Sequence, residues 1–277
     1  MTAASFDLAA FRTLGRPAVM GVLNVTPDSF SDGGQFLAPD RAIARAGQMA
    51  DQGAEILDIG AESTRPYGGA RPIAADEEIA RLAPVVPDIV KIGLPISIDT
   101  MKAPVAAFAL ERGVAIVNDV WGLQRDPDMA RVVAESGATI VVMHNRERAD
   151  AAIDIMADID AFFARSLDLA ARAGIDSSRI VLDPGIGFGK TPAQSVLALA
   201  RLGDLKRFGL PLLVGASRKR FIDKISPAPP ERRLGGSLAA HLVAAEAGAA
   251  IVRAHDVAET AQALKVAKAI REARCPT

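Results

Sequence analysis

Short apolar runs recur along the chain, at residues 19–23, 56–59, 95–98, 115–117, 139–143, 180–182, 210–214 and 249–252. Each is too short for a helix and apolar at successive positions, as in strands of a parallel sheet covered on both faces. Longer amphipathic segments between them carry helix punctuation. Asp40 is placed to cap a helix whose apolar side is Ile43, Ala46, Met49 and Ala50, with Gly53 past its end. Thr191, Pro192 and Gln194 have the spacing of an N-cap, a first-turn proline and a capping-box partner. Asp256 and Glu259 open a further helix carrying Val257, Leu264, Val266 and Ile270, whereas Pro84 and Pro87 should break the second helical segment. About eight alternations of strand and helix predict an α/β fold, a (β/α)8 TIM barrel, with a doubly wound open sheet as the rival. No linker rich in Gly, Ser or Pro divides the chain, so residues 1–277 are expected to form a single domain.

Composition narrows the function. Half the residues are hydrophobic and only 4% are aromatic, so the core is mostly Ala, Val, Ile and Leu. The 32 Lys and Arg against 33 Asp and Glu leave a formal charge of −1, which offers no broad basic field for nucleic acid or an acidic membrane. Cys275 is the only cysteine, which excludes an intrachain disulfide and a cysteine-based zinc site. The first twelve residues contain no apolar core of a signal peptide, and the Ala- and Val-rich stretch at 238–252 is interrupted by His241 and Glu246. A cytoplasmic protein is expected.

The polar residues fall where a barrel would gather them. Asn24, Asp58, Asp99, Asn118-Asp119, His144, Asp183, Ser217-Arg218-Lys219 and Arg253 with His255 each end or follow one apolar run. In a barrel these strand ends share one mouth. Asp99, Asn118 and Asp183 supply acceptors and one amide suited to a flat heterocycle with several N–H donors, such as an aminopyrimidinone. Asp58 and Asp119 either join them or cap loops, and an Asp-based metal site is the competing reading. Arg65, Arg218, Lys219, Arg253 and His255, with the hydroxyls of Thr64 and Ser217, suit a phosphate or diphosphate. A strand-end Lys219 is equally placed for Schiff-base chemistry. The glycine-rich stretch from Asp183 to Lys190 lacks the spacing of a Walker loop and instead suits a tight turn beside a flat ligand, with Phe188 as an apolar wall. The long 24–34 loop is a candidate lid.

Taken together, these motifs resemble the dihydropteroate synthase family. The stretch from Met20 to Gly34, reading MGVLNVTPDSFSDGG, and Asp58 to Pro66, reading DIGAESTRP, are similar to its first two motifs. Ser97-Ile98-Asp99-Thr100, Asn118-Asp119, Asp183 to Lys190, Ser217-Arg218-Lys219 and Arg253 to Val257 follow in the family's order. The resemblance implies a transferase of folate biosynthesis and a sulfonamide target. Its substrates would be (7,8-dihydropterin-6-yl)methyl diphosphate and 4-aminobenzoate, and its products 7,8-dihydropteroate and pyrophosphate.

By the same resemblance, Asp99, Asn118, Met143, Asp183, Phe188 and Lys219 hold the pterin. Asn24, Thr64, Arg253 and His255 hold the diphosphate, and Asn24 contacts a Mg2+ ion; Ser217 joins the substrate-binding set as a hydroxyl donor. Asp32 and Arg65 help close the site, while Phe30, Thr64, Arg65 and Pro66 form the aminobenzoate subsite. Asp99, Asn24, Asp32, Arg65 and Lys219 are the catalytic candidates. A homodimer is implied as well.

Two stretches depart from the family pattern. Tyr67 to Pro72 is longer by about two residues, beside the aminobenzoate subsite, and Asn145-Arg146-Glu147-Arg148 replaces a segment containing Met and Gly. Two other functions share the acceptor ring: methyl transfer from a reduced folate, and pterin binding without catalysis. The joint presence of the acceptor ring and the cationic set favours the synthase.

Overall fold

The computed structural model describes residues 6, 11, 13–25, 38–62 and 72–274. Within them, eight parallel strands alternate with helices: β1 Ala18–Asn24, β2 Ile56–Gly60, β3 Ile96–Asp99, β4 Ile116–Asp119, β5 Thr139–Met143, β6 Ile180–Asp183, β7 Leu213–Val214 and β8 Ile251–Ala254. The helices are α1 Ala38–Asp51, α2 Ala75–Leu82, α3 Val86–Val90, α4 Ala103–Leu110, α5 Met129–Ser136, α6 Ile155–Ala173, α7 Pro192–Ala200, α8 Arg220–Ile225, α9 Leu234–Glu246 and α10 Val257–Arg274. The strand order β6-β5-β4-β3-β2-β1-β8-β7 closes on itself through a parallel bridge between Leu182 and Leu212. This is the expected (β/α)8 barrel.

Alternation along each strand explains how the chain places its polar groups. Outward positions such as Val19, Leu57, Ile98, Val117, Ile140, Leu182 and Val252 pack in the layer between strands and helices. Inward positions form an apolar lower layer that includes Met20, Ile56, Ile116, Val141, Val181, Leu213 and Ile251. Two residues further along the strands stand Val22, Asp58, Asn118, Met143, Asp183, Gly215 and Arg253. Side chains of period two keep these on the same interior face, one layer nearer the C-terminal mouth. An apolar plug therefore seals the barrel below a polar layer.

Several local expectations are met and others corrected. Thr191 and Gln194 form the capping box at the start of α7, with Pro192 in its first turn. The break near Pro84 and Pro87 separates α2 from α3. Asp40 lies inside the first turn of α1 and is not its N-cap; there it complements the positive end of the helix dipole. The Asp256 carboxylate is held by Arg218. Val257 and Leu264 of α10 are buried, but Val266 and Ile270 are about half exposed. β7 is shorter than the run at 210–214, because Pro211 has no N–H for the ladder, although its carbonyl accepts from Leu182 N at 2.9 Å.

His241 on α9 is buried, and neither ring nitrogen has a hydrogen-bond partner among the described residues. Burial pushes its pKa down from 6.5 to about 4. A depressed folded-state pKa means that stability is lost as pH falls from 6.5 toward that value. Replacing the ring removes this loss. The His241→Leu variant should therefore gain stability relative to the parent on acidification, by about 2 kcal/mol between pH 7 and pH 5. Urea melts across that range check it, and a pH-independent difference would exclude titration of the ring as the cause.

Candidate active site

The C-terminal mouth of the barrel opens into a cavity of about 450 Å³. Asn24 at the end of β1, Asp99 at the end of β3 and Arg253 within β8 line its floor. Gly187 and Phe188 come from the loop after β6, Ser217 and Lys219 from the loop after β7, and His255 from the end of β8. Residues separated by more than two hundred positions thus meet because parallel strands all present the same end.

The acceptors form one connected set. Asp99 and Asn118 are neighbours in the β3–β4 register, and Met143 and Asp183 are neighbours in the β5–β6 register. Asp58 sits fully buried on β2 and accepts from Asn118 Nδ2 at 3.1 Å and from Arg253 Nε at 2.5 Å. Arg253 Nη2 also donates to Asp99 Oδ2 at 2.8 Å. The family resemblance assigns Arg253 to the diphosphate. In this structure its guanidinium pairs with Asp58 and Asp99 while the residue also lines the cavity beside Ser217 and His255. Asp58 accordingly orients Arg253 and Asn118 and does not line the cavity itself.

These carboxylates are tuned mainly by burial. Asp99 is pushed up to about 7 by removal from water, against the pull of Arg253. Burial likewise raises Asp183 to about 6, opposed by the backbone hydrogen bond from Gly185 N to Asp183 Oδ1, at 2.7 Å. Asp119 is also raised by burial, but it belongs elsewhere: its oxygens accept from Trp121 N at 2.8 Å and Leu123 N at 2.7 Å. It caps the loop after β4, which decides between the two readings open for it.

The cations divide in the same way. Lys219 Nζ lies 4.0 Å from the centre of the Phe188 ring, and its charge is felt by both Asp99 and Asp183. Ser217 Oγ is 3.0 Å from His255 Nδ1, which fixes the imidazole at the rim. Arg218 lines the same cavity and pairs with Asp256, with Nη2 2.5 Å and Nε 3.0 Å from its two oxygens. Its φ of +58° is one of two positive values outside glycine among the described residues, and its N–H and C=O are held by Ser237 and Arg233. Arg218 is therefore anchored within its loop by Asp256, Ser237 and Arg233.

Met143 packs with Val120 and Phe188, and Met101 and Trp121 lie against them. That apolar cluster gives the mouth the flat wall that Phe188 suggests. Asp32, Phe30, Thr64, Arg65 and Pro66, with the extension beginning at Tyr67, lie outside the described residues. Among those described, no group of three His, Cys, Asp or Glu side chains is arranged to hold a metal.

Several cavity residues are not singled out by the sequence. Glu62 lines it and pairs with Lys102 at 2.7 Å, while Asp223, Glu231 and Arg233 form its outer side. Arg233 also pairs with Asp223 at 3.1 Å and donates to Ala228 O at 2.7 Å, ordering the 226–233 loop. The only hint in the sequence is the concentration of Pro and Arg in that loop. The loop after β5 is likewise settled by its contacts, with Arg146 Nη1 2.8 Å from Asp158.

Comparison with known proteins agrees with this arrangement. A family described as pterin binding enzyme matches residues 20–255. A dihydropteroate synthase of Bacillus subtilis is 45% identical over 253 residues, covering 91% of this chain and 88% of the relative. The structure resembles that of a Clostridium difficile dihydropteroate synthase studied in the presence of pteroic acid. The TM-score is 0.89 and the identity 47%, over 92% of this chain and 97% of that one. A Xanthomonas albilineans dihydropteroate synthase with 4-aminobenzoic acid gives a TM-score of 0.88 and 43% identity, over 92% and 93% of the two chains. The conserved barrel and motif order place this chain in the dihydropteroate synthase family of pterin-binding enzymes.

Proposed function

We propose that the cavity joins (7,8-dihydropterin-6-yl)methyl diphosphate to 4-aminobenzoate, forming 7,8-dihydropteroate and pyrophosphate. The observation that carries this reading is the polarity of the mouth. Buried acceptors at Asp99, Asn118 and Asp183 stand near Lys219, whose charge reaches Asp99 and Asp183, while His255 and Ser217 line the same mouth. The ionised Asp183 carboxylate suits the adjacent amino and ring N–H donors of a pterin, and the Asn118 amide can both donate and accept. Lys219, stacked on Phe188, suits the pterin carbonyl edge.

The chemistry follows from charge. The C–O bond to the diphosphate breaks with its electron pair leaving on oxygen, and positive charge develops on the pterin methylene. Ionised Asp99 in a buried site stabilises that charge more than it stabilises the neutral substrate. The aminobenzoate nitrogen then supplies the electron pair of the new C–N bond and releases a proton. His255, oriented by Ser217, and Asn24 are placed for the leaving group. Asp32, Arg65, Thr64, Phe30 and Pro66 keep the roles the family resemblance implies for the aminobenzoate side.

Mg2+ is proposed as the cofactor. It commonly uses one or two protein oxygens together with substrate phosphates and water, so the Asn24 amide oxygen in the cavity lining fits it without a carboxylate cluster. When bound it would neutralise the leaving group. A homodimer and a cytoplasmic location complete the proposal. Half-exposed Val243 on α9 and Val266 and Ile270 on α10 supply apolar surface for association, and no helix among the described residues is long and apolar enough to cross a membrane.

Pyrophosphate release from the dihydropterin diphosphate tests the reaction, assayed with and without 4-aminobenzoate and Mg2+. Product that depends on both is expected. Release without an aminobenzoate adduct, or methyl transfer from a reduced folate, would overturn the assignment.

A further inference from the structure

Among the described residues the most deeply buried lysine or arginine is Lys190, at the far end of the glycine-rich loop, with 1% of its surface exposed. A lysine so placed is costly, because its charge is removed from water, and a methionine could fill the same volume without that cost. Its Nζ lies 2.6 Å from His144 Nδ1, 2.9 Å from Gly185 O and 3.2 Å from Phe188 O. An ammonium group has three N–H bonds, and here it has three partners. The two carbonyls can only accept.

If all three protons are donated, His144 Nδ1 must accept and its hydrogen must reside on Nε2. Nε2 faces Asp158 Oδ2 at 2.9 Å, and Asp158 is also held by Arg146 at 2.8 Å. The partners on both sides thus select one tautomer of a neutral ring, and burial, which lowers the His144 pKa, keeps it neutral. Burial also lowers Lys190, to about 7, while Asp183 and Asp158 oppose that shift.

The loop that Lys190 grips faces the cavity on its other side, through Gly187 and Phe188. Gly185 and Gly189 have φ of +65° and +53°, and a Cβ on either would run into the backbone of His144 or Arg146. The loop is thus docked, backbone against backbone, on the segment after β5. Its opposite face holds Gly185 N on the Asp183 carboxylate, the Phe188 ring under the Lys219 ammonium, and Gly187 against the Lys219 stem.

We infer that Lys190 is a positioning residue for the pterin subsite: through Gly185 O and Phe188 O it fixes the glycine-rich loop from behind and sets where Phe188 and Lys219 meet the pterin. His144 and Asp158 hold Lys190 in that task. The inference rests on the pterin-binding reading given above and adds a residue that touches no ligand.

The test is a double-mutant cycle with 6-hydroxymethylpterin as the probe, titrated calorimetrically into the parent, Lys190→Met, Phe188→Ala and the double variant. Lys190→Met should weaken the pterin by about 10- to 50-fold, with the aminobenzoate KM at saturating pterin substrate within about twofold of the parent. The two substitutions should be non-additive, the double variant binding within about threefold of Phe188→Ala alone. A purely structural lysine predicts a lower Tm with pterin affinity kept, or additive losses, and either result overturns the inference. Should Lys190→Met fail to fold, Asp158→Ala releases the His144 tautomer from the half-buried end, and a loss of about 3- to 10-fold in pterin affinity is expected. Parental affinity in that variant would also overturn it. A parent chain that binds no pterin would instead remove the functional reading itself, a distinct outcome.

Discussion

Arg253→Met is expected to lose about 3–5 kcal/mol of folding stability near pH 8, because it strands two buried carboxylates that share one guanidinium. Asp58 and Asp99 both lie within hydrogen-bond reach of Arg253, and both are almost fully buried. Methionine preserves much of the volume but none of the charge, so the loss reports the uncompensated carboxylates. The pH dependence gives the sign. Asp99 is already raised from 3.8 to about 7 despite Arg253, and removing the cation raises it further. A carboxylate with a raised folded-state pKa contributes stability below its unfolded value and loses it as pH rises through the folded value. The deficit of Arg253→Met should thus be greatest above pH 7 and shrink toward pH 5. Adding Asp58→Asn should restore part of the stability by removing one stranded charge. Urea unfolding at pH 5 and pH 8 measures both effects; a variant as stable as its parent at pH 8 would mean that the triad is hydrated and not a closed network.

The second large effect is on binding. Asp183→Ala should weaken a pterin ligand by about 100- to 10,000-fold, since it removes a buried carboxylate that would accept two charge-assisted hydrogen bonds worth about 1.5–3 kcal/mol each. Alanine also removes the acceptor for Gly185 N, so loop anchoring and recognition fall together. Asp183→Asn separates them. Its amide oxygen can still accept from Gly185 N, but its NH2 group opposes the pterin donors, so the fold should be kept while affinity remains low. Burial raises Asp183 to about 6, and only the ionised form accepts both donors, so parental affinity should fall as pH drops through that value. Calorimetric titration with 6-hydroxymethylpterin between pH 5 and pH 8 checks this, with the pH slope lost in Asp183→Asn. Parental affinity in Asp183→Asn would reduce Asp183 to a loop anchor.

These two residues also show how far the sequence could be read. Asp183 is legible because it ends an apolar run and begins a glycine-rich turn, both local features. Arg253 is legible as a cation near the last strand, but its partners, Asp58 and Asp99, lie 195 and 154 residues away. Spacing cannot reveal which buried carboxylates a cation will neutralise. Arg218 and Lys219 make the same point as neighbours: one turns to Asp256, the other to Phe188 and the acceptor ring. The Asp119 carboxylate, adjacent to Asn118, serves only its own loop.

The sequence by itself determined the strand and helix alternation, the helix break at Pro84–Pro87, the α7 capping box and the set of polar residues at the strand ends. These depend on local periodicity, backbone restriction and residue type, which need no knowledge of the partner. Only the tertiary structure decided that Arg253 faces inward, that β7 is cut short beside Pro211, and that Lys190 is enclosed by His144, Gly185 and Phe188. Those outcomes depend on the stagger of a closed barrel and on which buried charges can find compensation within it, and both are properties of the assembled fold.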